Sequence, residues 1–222
     1  MKWIQLFTLI TFSCYSITGQ VQLNYNLGIN QHFVVQPNKN IRSYNKYPFS
    51  LLNHELSVER KFSSFNKLTL NGGIGINFFQ FTSFYRGLIF DSDFVRMETS
   101  FYHERFIFIS PSVFSSINRK FGNFNFNFSV ICLFNRIIYN TYLIHETASG
   151  KNYLTINKNV LDYKFNEFNL GLKLGSNYSP FRNKDFLIGI YYKYNIMPFA
   201  IDSDLNEKIF LSTFGLSISK IL

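Results

Sequence analysis

The chain has 222 residues, among them 28 Phe, 14 Tyr and 12 Gly, and it carries a formal net charge of +9. This length suits a single barrel or sandwich domain. After the N-terminus no segment is apolar over the ~20 residues that a membrane-spanning helix needs, so the sequence excludes a helical membrane protein.

The first 19 residues have the features of a secretory signal peptide. Lys2 supplies the positive charge, and the apolar run at 3–12 is too short to span a bilayer as a helix. We expect cleavage after Gly19, which leaves residues 20–222 as the exported domain. A lipoprotein signal with an acylated Cys14 is the alternative.

Export also limits the partners and the redox chemistry of the mature chain. Loss of Lys2 lowers the net charge from +9 to +8, and the remaining basic residues are scattered, which argues against nucleic acid as a partner. Cys132 is then the single cysteine, so no intramolecular disulfide is expected.

The alternation of side chains is clearest at residues 123–134, which read NFNFNFSVICLF. Phe124, Phe126 and Phe128 alternate with small polar residues. Because successive side chains of a strand point to opposite faces, this pattern predicts a β-strand with one apolar and one polar face.

The same alternation recurs along the chain and predicts an all-β protein. Pro111 lies inside one of the predicted strands, where we expect a bulge or a local break in pairing. The eight predicted strands cover about 21–35, 49–62, 67–81, 101–121, 123–137, 163–178, 186–197 and 208–222.

The connections between these strands alternate in length. The short ones are residues 63–66, the turn around Gly122 and residues 179–185, whereas the long ones are 36–48, 82–100, 139–162 and 198–207. Short periplasmic turns and long outer loops are typical of outer-membrane barrels. The fold class predicted is therefore an eight-stranded antiparallel up-and-down transmembrane β-barrel. Ten strands would require a membrane-depth hairpin at 139–162, which lacks two apolar alternating runs.

Glycine indicates which face of the barrel points inwards. All glycines of the predicted strands except Gly72 fall on the polar face. An eight-stranded barrel has a crowded interior that favours small residues. The apolar face should therefore contact lipid. The residues predicted to face lipid are Phe124, Phe126, Phe128, Leu170, Leu172, Ile188, Ile190, Phe214 and Leu216.

Charged residues on the inward face predict a polar network in the lumen. Glu55 should meet Lys173, because their strands lie opposite each other in an eight-stranded barrel, and charges in a narrow interior must be paired. We expect a closed lumen; the alternative is a narrow conduit for small solutes. The predicted network comprises Glu55, Glu59, Glu104, Glu167, Lys173 and Lys193.

Catalytic, metal-binding and cofactor-binding signatures are not found in the sequence. A lipid-modifying enzyme would need a Ser with a His base, yet Ser50 lies roughly 13 Å along the strand from His54, on the same face. His103 lies near a barrel rim beside Glu104, and no His/Cys cluster has ligand spacing. We therefore expect no enzyme, although a lipid-modifying enzyme remains an alternative.

Three short stretches carry a family resemblance. They are the signal ending in Gly19-Gln20, the ERKF at 59–62 and the LTLNGGIGI at 68–76. These stretches resemble the small outer-membrane β-barrel domains of Bacteroidota, a group that includes PorT-like proteins and is similar to the OmpA-type barrel. The resemblance covers the whole mature chain. It implies an outer-membrane address and, for some members, a role in secretion.

Together these observations predict a barrel in the outer membrane with a structural, binding or accessory role in a secretion or envelope complex. The expected partners are outer-membrane lipids, lipopolysaccharide and other envelope proteins, and the expected state is a monomer. A secreted lipocalin-like carrier is the alternative outside the membrane, since a carrier would turn its apolar face inwards.

Overall fold

The computed structural model of the protein describes residues 20–35, 49–90, 97–146, 151–156, 163–180, 185–202 and 208–222. The predicted signal peptide, residues 1–19, lies outside the described residues. Within these ranges no helix has the length and apolarity needed to cross a membrane.

The described secondary structure consists of twelve β-strands. They are β1 (Val21–Val35), β2 (Phe49–Phe65), β3 (Leu68–Phe90), β4 (Met97–Phe121), β5 (Phe124–Phe134), β6 (Arg136–Glu146), β7 (Lys151–Ile156), β8 (Tyr163–Phe165), β9 (Phe168–Tyr178), β10 (Phe186–Asn195), β11 (Ala200–Asp202) and β12 (Lys208–Ile221).

Eight of these strands form a closed antiparallel barrel in the order β1-β2-β3-β4-β5-β9-β10-β12. The last strand returns to the first, and their pairing runs from Gln22 opposite Ile221 to Val35 opposite Lys208. Closure leaves neither β1 nor β12 with an open edge. The predicted eight-stranded antiparallel barrel is confirmed.

Two tight turns join strands at one end of the barrel, which we call the short-turn end. Asn66 has a φ of 54° and Gly122 a φ of 57°, and both lie in two-residue turns. Left-handed backbone is easiest for Gly and Asn, which explains these residues at these turns. Both ends of the barrel sheet, at Val21 and Ile221, lie at this end.

The opposite end, the long-loop end, extends further than the hydropathy pattern predicts. β3 and β4 remain paired as far as Phe90 opposite Met97, so most of the predicted loop at 82–100 is strand. Apolar alternation is required only where one face of a strand is solvated and the other is not, so its absence does not exclude a continuing backbone ladder.

The segment predicted as the longest connection also contains strands. β6 continues the line of β5 and pairs with β4 and β7, whereas β5 pairs with β9 only as far as Phe134 opposite Phe168. The β6–β7 hairpin therefore extends beyond the closed barrel. The barrel has eight strands rather than ten.

The break in pairing predicted at Pro111 affects one side of β4. On the β3 side the ladder is continuous, with Pro111 opposite Ile76. On the other side pairing with β5 ends at Ser112 and resumes with β6 at Ile109. A proline has no N–H to donate, and a lapse of pairing beside it agrees with the break predicted at this position.

Candidate functional site

The centre of the lumen holds an ion network built on Glu55. Lys173 Nζ lies 2.6 Å from Glu55 Oε1, and Lys193 Nζ lies 3.2 Å from Glu55 Oε2. β2 and β9 are four steps apart in the eight-strand order, so Glu55 and Lys173 come from opposite walls. The ion pair predicted between them is present, and Lys193 on β10 is a second partner of the same carboxylate.

Neutral groups complete the coordination of this network. Asn26 Nδ2 donates to Glu55 Oε1 at 2.9 Å, and Lys193 Nζ donates to Asn77 Oδ1 at 2.8 Å. Lys173 Nζ also lies 4.8 Å from the centre of the buried Tyr191 ring, within range of a cation–π contact. These contacts link β1, β2, β3, β9 and β10 across the axis of the barrel.

Glu59 forms a separate site nearer the short-turn end. Its carboxylate accepts hydrogen bonds from Asn24, Asn71, Ser116 and Asn118, at 3.3, 2.6, 2.5 and 3.2 Å respectively. All four donors are neutral, and among the described residues no lysine or arginine forms an ion pair with Glu59. The structure therefore does not bring Glu59 into the network of Glu55.

The lumen at the long-loop end is filled by aromatic rings rather than by polar groups. Phe79 and Phe108 stack with ring centres 5.0 Å apart, and Phe199 from the loop before β11 packs against both, at 5.5 and 5.0 Å. Phe81 and Phe106 continue the same cluster, which we call the aromatic plug. The predicted polar lumen does not extend to this end, because these inward positions carry Phe.

Backbone contacts fix Phe199 in the aromatic plug. Its N–H donates to the Ile209 carbonyl at 2.6 Å, and its carbonyl accepts from the Asn166 N–H at 2.9 Å. The side chains of Asn166 and Asn169 both donate to the Pro198 carbonyl, at 2.6 and 3.2 Å. These hydrogen bonds fix the loop, and its Phe199 fills the long-loop end of the lumen.

Two further predicted members of the network, Glu167 and Glu104, also lie apart from Glu55. Glu167 is exposed, with 73% of its side chain accessible, and pairs with the exposed Arg136 at 3.2 Å. It precedes β9, so the alternation that assigns inward positions does not apply to it; its assignment to the lumen was wrong. Glu104 is buried, but it lies beyond Phe106 and Phe108 on β4 and therefore on the far side of the aromatic plug from Glu55.

The apolar face lies on the exterior of the barrel. Phe126 is 48% exposed and Leu216 is 58% exposed, whereas the lumenal Lys193 is 3% exposed. Leu170 and Leu172 are half-buried among their neighbours. The other predicted lipid-facing residues are also exposed: Phe124, Phe128, Ile188, Ile190 and Phe214.

His54, one of the two histidines named for the enzyme alternative, has a tyrosine partner. Tyr25 OH lies 2.8 Å from His54 Nδ1 on the exterior of β1 and β2. The side chains of Ser50 and His103 lie outside the described ones. Within the described residues, no group of three or more His, Cys, Asp or Glu side chains is placed to hold a metal ion.

Two features of the lumen were not anticipated from the sequence. Asn135, between β5 and β6, donates to the Asn166 carbonyl at 2.9 Å and accepts from Ser110 Oγ at 2.8 Å. Phe199 fills the long-loop end from a loop. Alternation places four phenylalanines of the aromatic plug on the inward face: Phe79, Phe81, Phe106 and Phe108. The sequence offers no such signal for the insertion of Phe199.

Comparison with known proteins gives structural likeness without sequence similarity. No model of a protein family matches the chain, and no curated protein matches it.

The structural matches include the Neisserial surface protein A, with 8% identity, a TM-score of 0.43 and coverage of 90% of this chain and 96% of that one. The attachment invasion locus protein Ail of Yersinia pestis matches with 11% identity, a TM-score of 0.37 and coverage of 91% and 99%. The outer membrane protease OmpT of Escherichia coli matches with 8% identity, a TM-score of 0.44 and coverage of 94% and 99%. Identities and scores this low carry no argument about activity.

The location of the barrel follows from its own surface. Large apolar side chains cover the exterior of all eight barrel strands. The paired charges of Glu55, Lys173 and Lys193 lie in the lumen. The shortest barrel strand has 10 residues, which is enough to cross a bilayer when tilted. A closed barrel with this exterior satisfies its backbone internally in lipid. The protein is an outer-membrane β-barrel.

Proposed function

We propose that this barrel has a closed lumen and serves as a structural, binding or accessory component of the outer membrane rather than as a conduit. One observation carries the proposal: the axis is occupied at two levels, by the Glu55–Lys173–Lys193 network and by the aromatic plug. An ion or solute would have to displace both, and breaking a buried ion pair costs several kcal/mol.

Single-channel recording of the purified protein in planar bilayers tests closure. We expect no steady large conductance from the native chain. A variant in which Glu55, Lys173, Lys193 and all five phenylalanines of the aromatic plug are changed to Ala serves as the reference for insertion, and we expect it to conduct. Steady, large conductance from the native chain would contradict closure and favour the small-solute conduit.

The resemblance to PorT-like barrels of Bacteroidota supports an accessory role in a secretion or envelope complex. Its proposed partners are outer-membrane lipids, lipopolysaccharide and one or more envelope proteins, with the barrel itself monomeric. Purification in mild detergent, followed by identification of co-purifying proteins and lipids, tests this role. A protein recovered in stoichiometric amount supports it, whereas a monomer that carries lipid alone contradicts it.

A further inference from the structure

The lumen at the short-turn end contains a cavity of about 180 Å³ that opens to the aqueous side, and we call it the mouth cavity. It is lined mainly by amide and charged side chains. Glu59 lies at its inner end, while Lys61 and Lys120 lie at its opening. This volume accommodates several waters or one small metabolite.

The inner end of the mouth cavity carries a buried carboxylate that accepts hydrogen bonds only from neutral groups among the described residues. Asn71 and Asn118 both donate through Nδ2 to Glu59. Their buried Oδ1 atoms then have no hydrogen-bond partner among the described residues. Turning either amide would place its oxygen against the Glu59 carboxylate, so these orientations are set by the charge. The inner end thus carries one negative charge, while the two carbonyl oxygens are buried in the cavity wall.

The opening of the mouth cavity has the opposite character. Lys61 follows Glu59 by two residues on β2, and Lys120 follows Asn118 by two residues on β4, so both lysines lie on the inward face. Both are exposed, and within the described chain neither forms an ion pair with Glu59. Two residues along a strand correspond to about 7 Å.

We propose that the mouth cavity binds a small zwitterion of dipeptide length. The primary ammonium lies at the inner end, where its positive charge faces the buried Glu59 carboxylate, whose hydrogen-bond donors among the described residues are all neutral. The carboxylate lies at the opening, between Lys61 and Lys120. The strand positions of Glu59 and Lys61 lie about 7 Å apart along the backbone, and a dipeptide separates its two charged groups by a similar length.

Other occupants match the site less well. Water would supply donors but no charge to Glu59. A divalent cation such as Ca²⁺ takes six to eight oxygen ligands, usually with several carboxylates, and the two lysines at the opening would repel it. The assignment does not depend on whether the lumen conducts, because the mouth cavity lies on the aqueous side of the Glu55 network.

Isothermal titration calorimetry on the purified barrel in detergent micelles tests the proposal. The probes are glycylglycine, N-acetyl-glycylglycine, which lacks the ammonium, glycylglycinamide, which lacks the carboxylate, and CaCl₂. We expect saturable binding of glycylglycine and a loss of roughly tenfold or more in affinity for each capped peptide, because each cap removes a charged hydrogen-bonding group.

Variants assign the two ends of the ligand. Glu59→Gln should weaken binding of glycylglycine and of glycylglycinamide. Lys61→Gln with Lys120→Gln should weaken glycylglycine alone, and these exposed positions leave folding intact. The control, Lys67→Gln with Lys220→Gln, removes two nearby lysines outside the cavity and should bind like the native chain. The proposal is overturned if glycylglycine does not bind saturably, if capped peptides bind equally well, or if Ca²⁺ alone binds in a Glu59-dependent way.

Discussion

Glu55 is one carboxylate shared by two lysines, and this ratio decides how the site responds to substitution. Alternation along β2 and β9, together with the strand order, was enough to predict that Glu55 meets Lys173. Lys193 was placed in the lumen but not against Glu55, because the depth of each residue depends on strand tilt and stagger, which hydropathy does not report. Glu167 was wrongly assigned to the lumen because the alternation of inward and outward side chains holds only within a strand.

Replacement of Glu55 by Gln should destabilise the barrel by about 3–5 kcal/mol, since it leaves Lys173 and Lys193 buried without a counter-charge. Urea unfolding of the barrel in lipid vesicles measures the loss. The matched control is Glu167→Gln, which removes one exposed ion pair and should cost at most about 1 kcal/mol. Equal losses in the two variants would show that the Glu55 network does not hold the lumen together.

At the scale of the element, hydropathy located every barrel strand but not every strand end. Alternation is enforced only where one face meets lipid, so the extensions of β3, β4 and β6 toward the long loops carry little of it. Pro111 was correctly associated with a lapse in pairing, yet only the structure shows that the lapse lies on the side of β5 and β6. Which neighbour loses a hydrogen bond depends on the direction of the missing N–H.

Strand β12 closes against β1 through two paired glycines, Gly28 and Gly215. A Cβ on Gly215 would meet the Leu27 carbonyl oxygen and the Gly28 Cα, both of which are backbone atoms. Gly215→Val should therefore cost about 1–3 kcal/mol or more through overpacking at this seam. Leu216→Val, one residue along on the outward face, is the control and should fold normally.

The fraction of SDS-resistant barrel, measured by gel migration with and without boiling, reports closure in these two variants. A resistant fraction for Gly215→Val as high as that of Leu216→Val would show that the seam has room for a side chain.

At the scale of the whole molecule, the sequence predicted the barrel and which face of its strands points outwards, but not how its two ends differ. Glycine on the polar face indicated a crowded interior, and the structure places those glycines inside. The aromatic plug depends on Phe199 entering from a loop, and a loop residue carries no periodic signal. The long-loop end is therefore apolar inside, whereas the short-turn end is polar and contains the mouth cavity.

An arginine on the exterior should destabilise the barrel according to its depth in the bilayer. Ile190 lies within β10 and is exposed, so Ile190→Arg should cost about 2–4 kcal/mol in vesicles. The control, Phe65→Arg, places the same charge beside the Asn66 turn and should cost about 0–1 kcal/mol near the interface. An Ile190→Arg barrel that is as stable as the control, and soluble without detergent, would favour the lipocalin-like carrier.

The pairing of the first barrel strand with the last has a consequence for when the protein can fold. Gln22 finds its partner at Ile221, almost the full length of the chain away, so the sheet cannot close until Lys208–Ile221 has been synthesised and exported. Contacts of such long sequence separation make folding slow, and until then β1 presents an unpaired edge that invites aggregation. The newly exported polypeptide must therefore be kept apart from its copies until it reaches the bilayer.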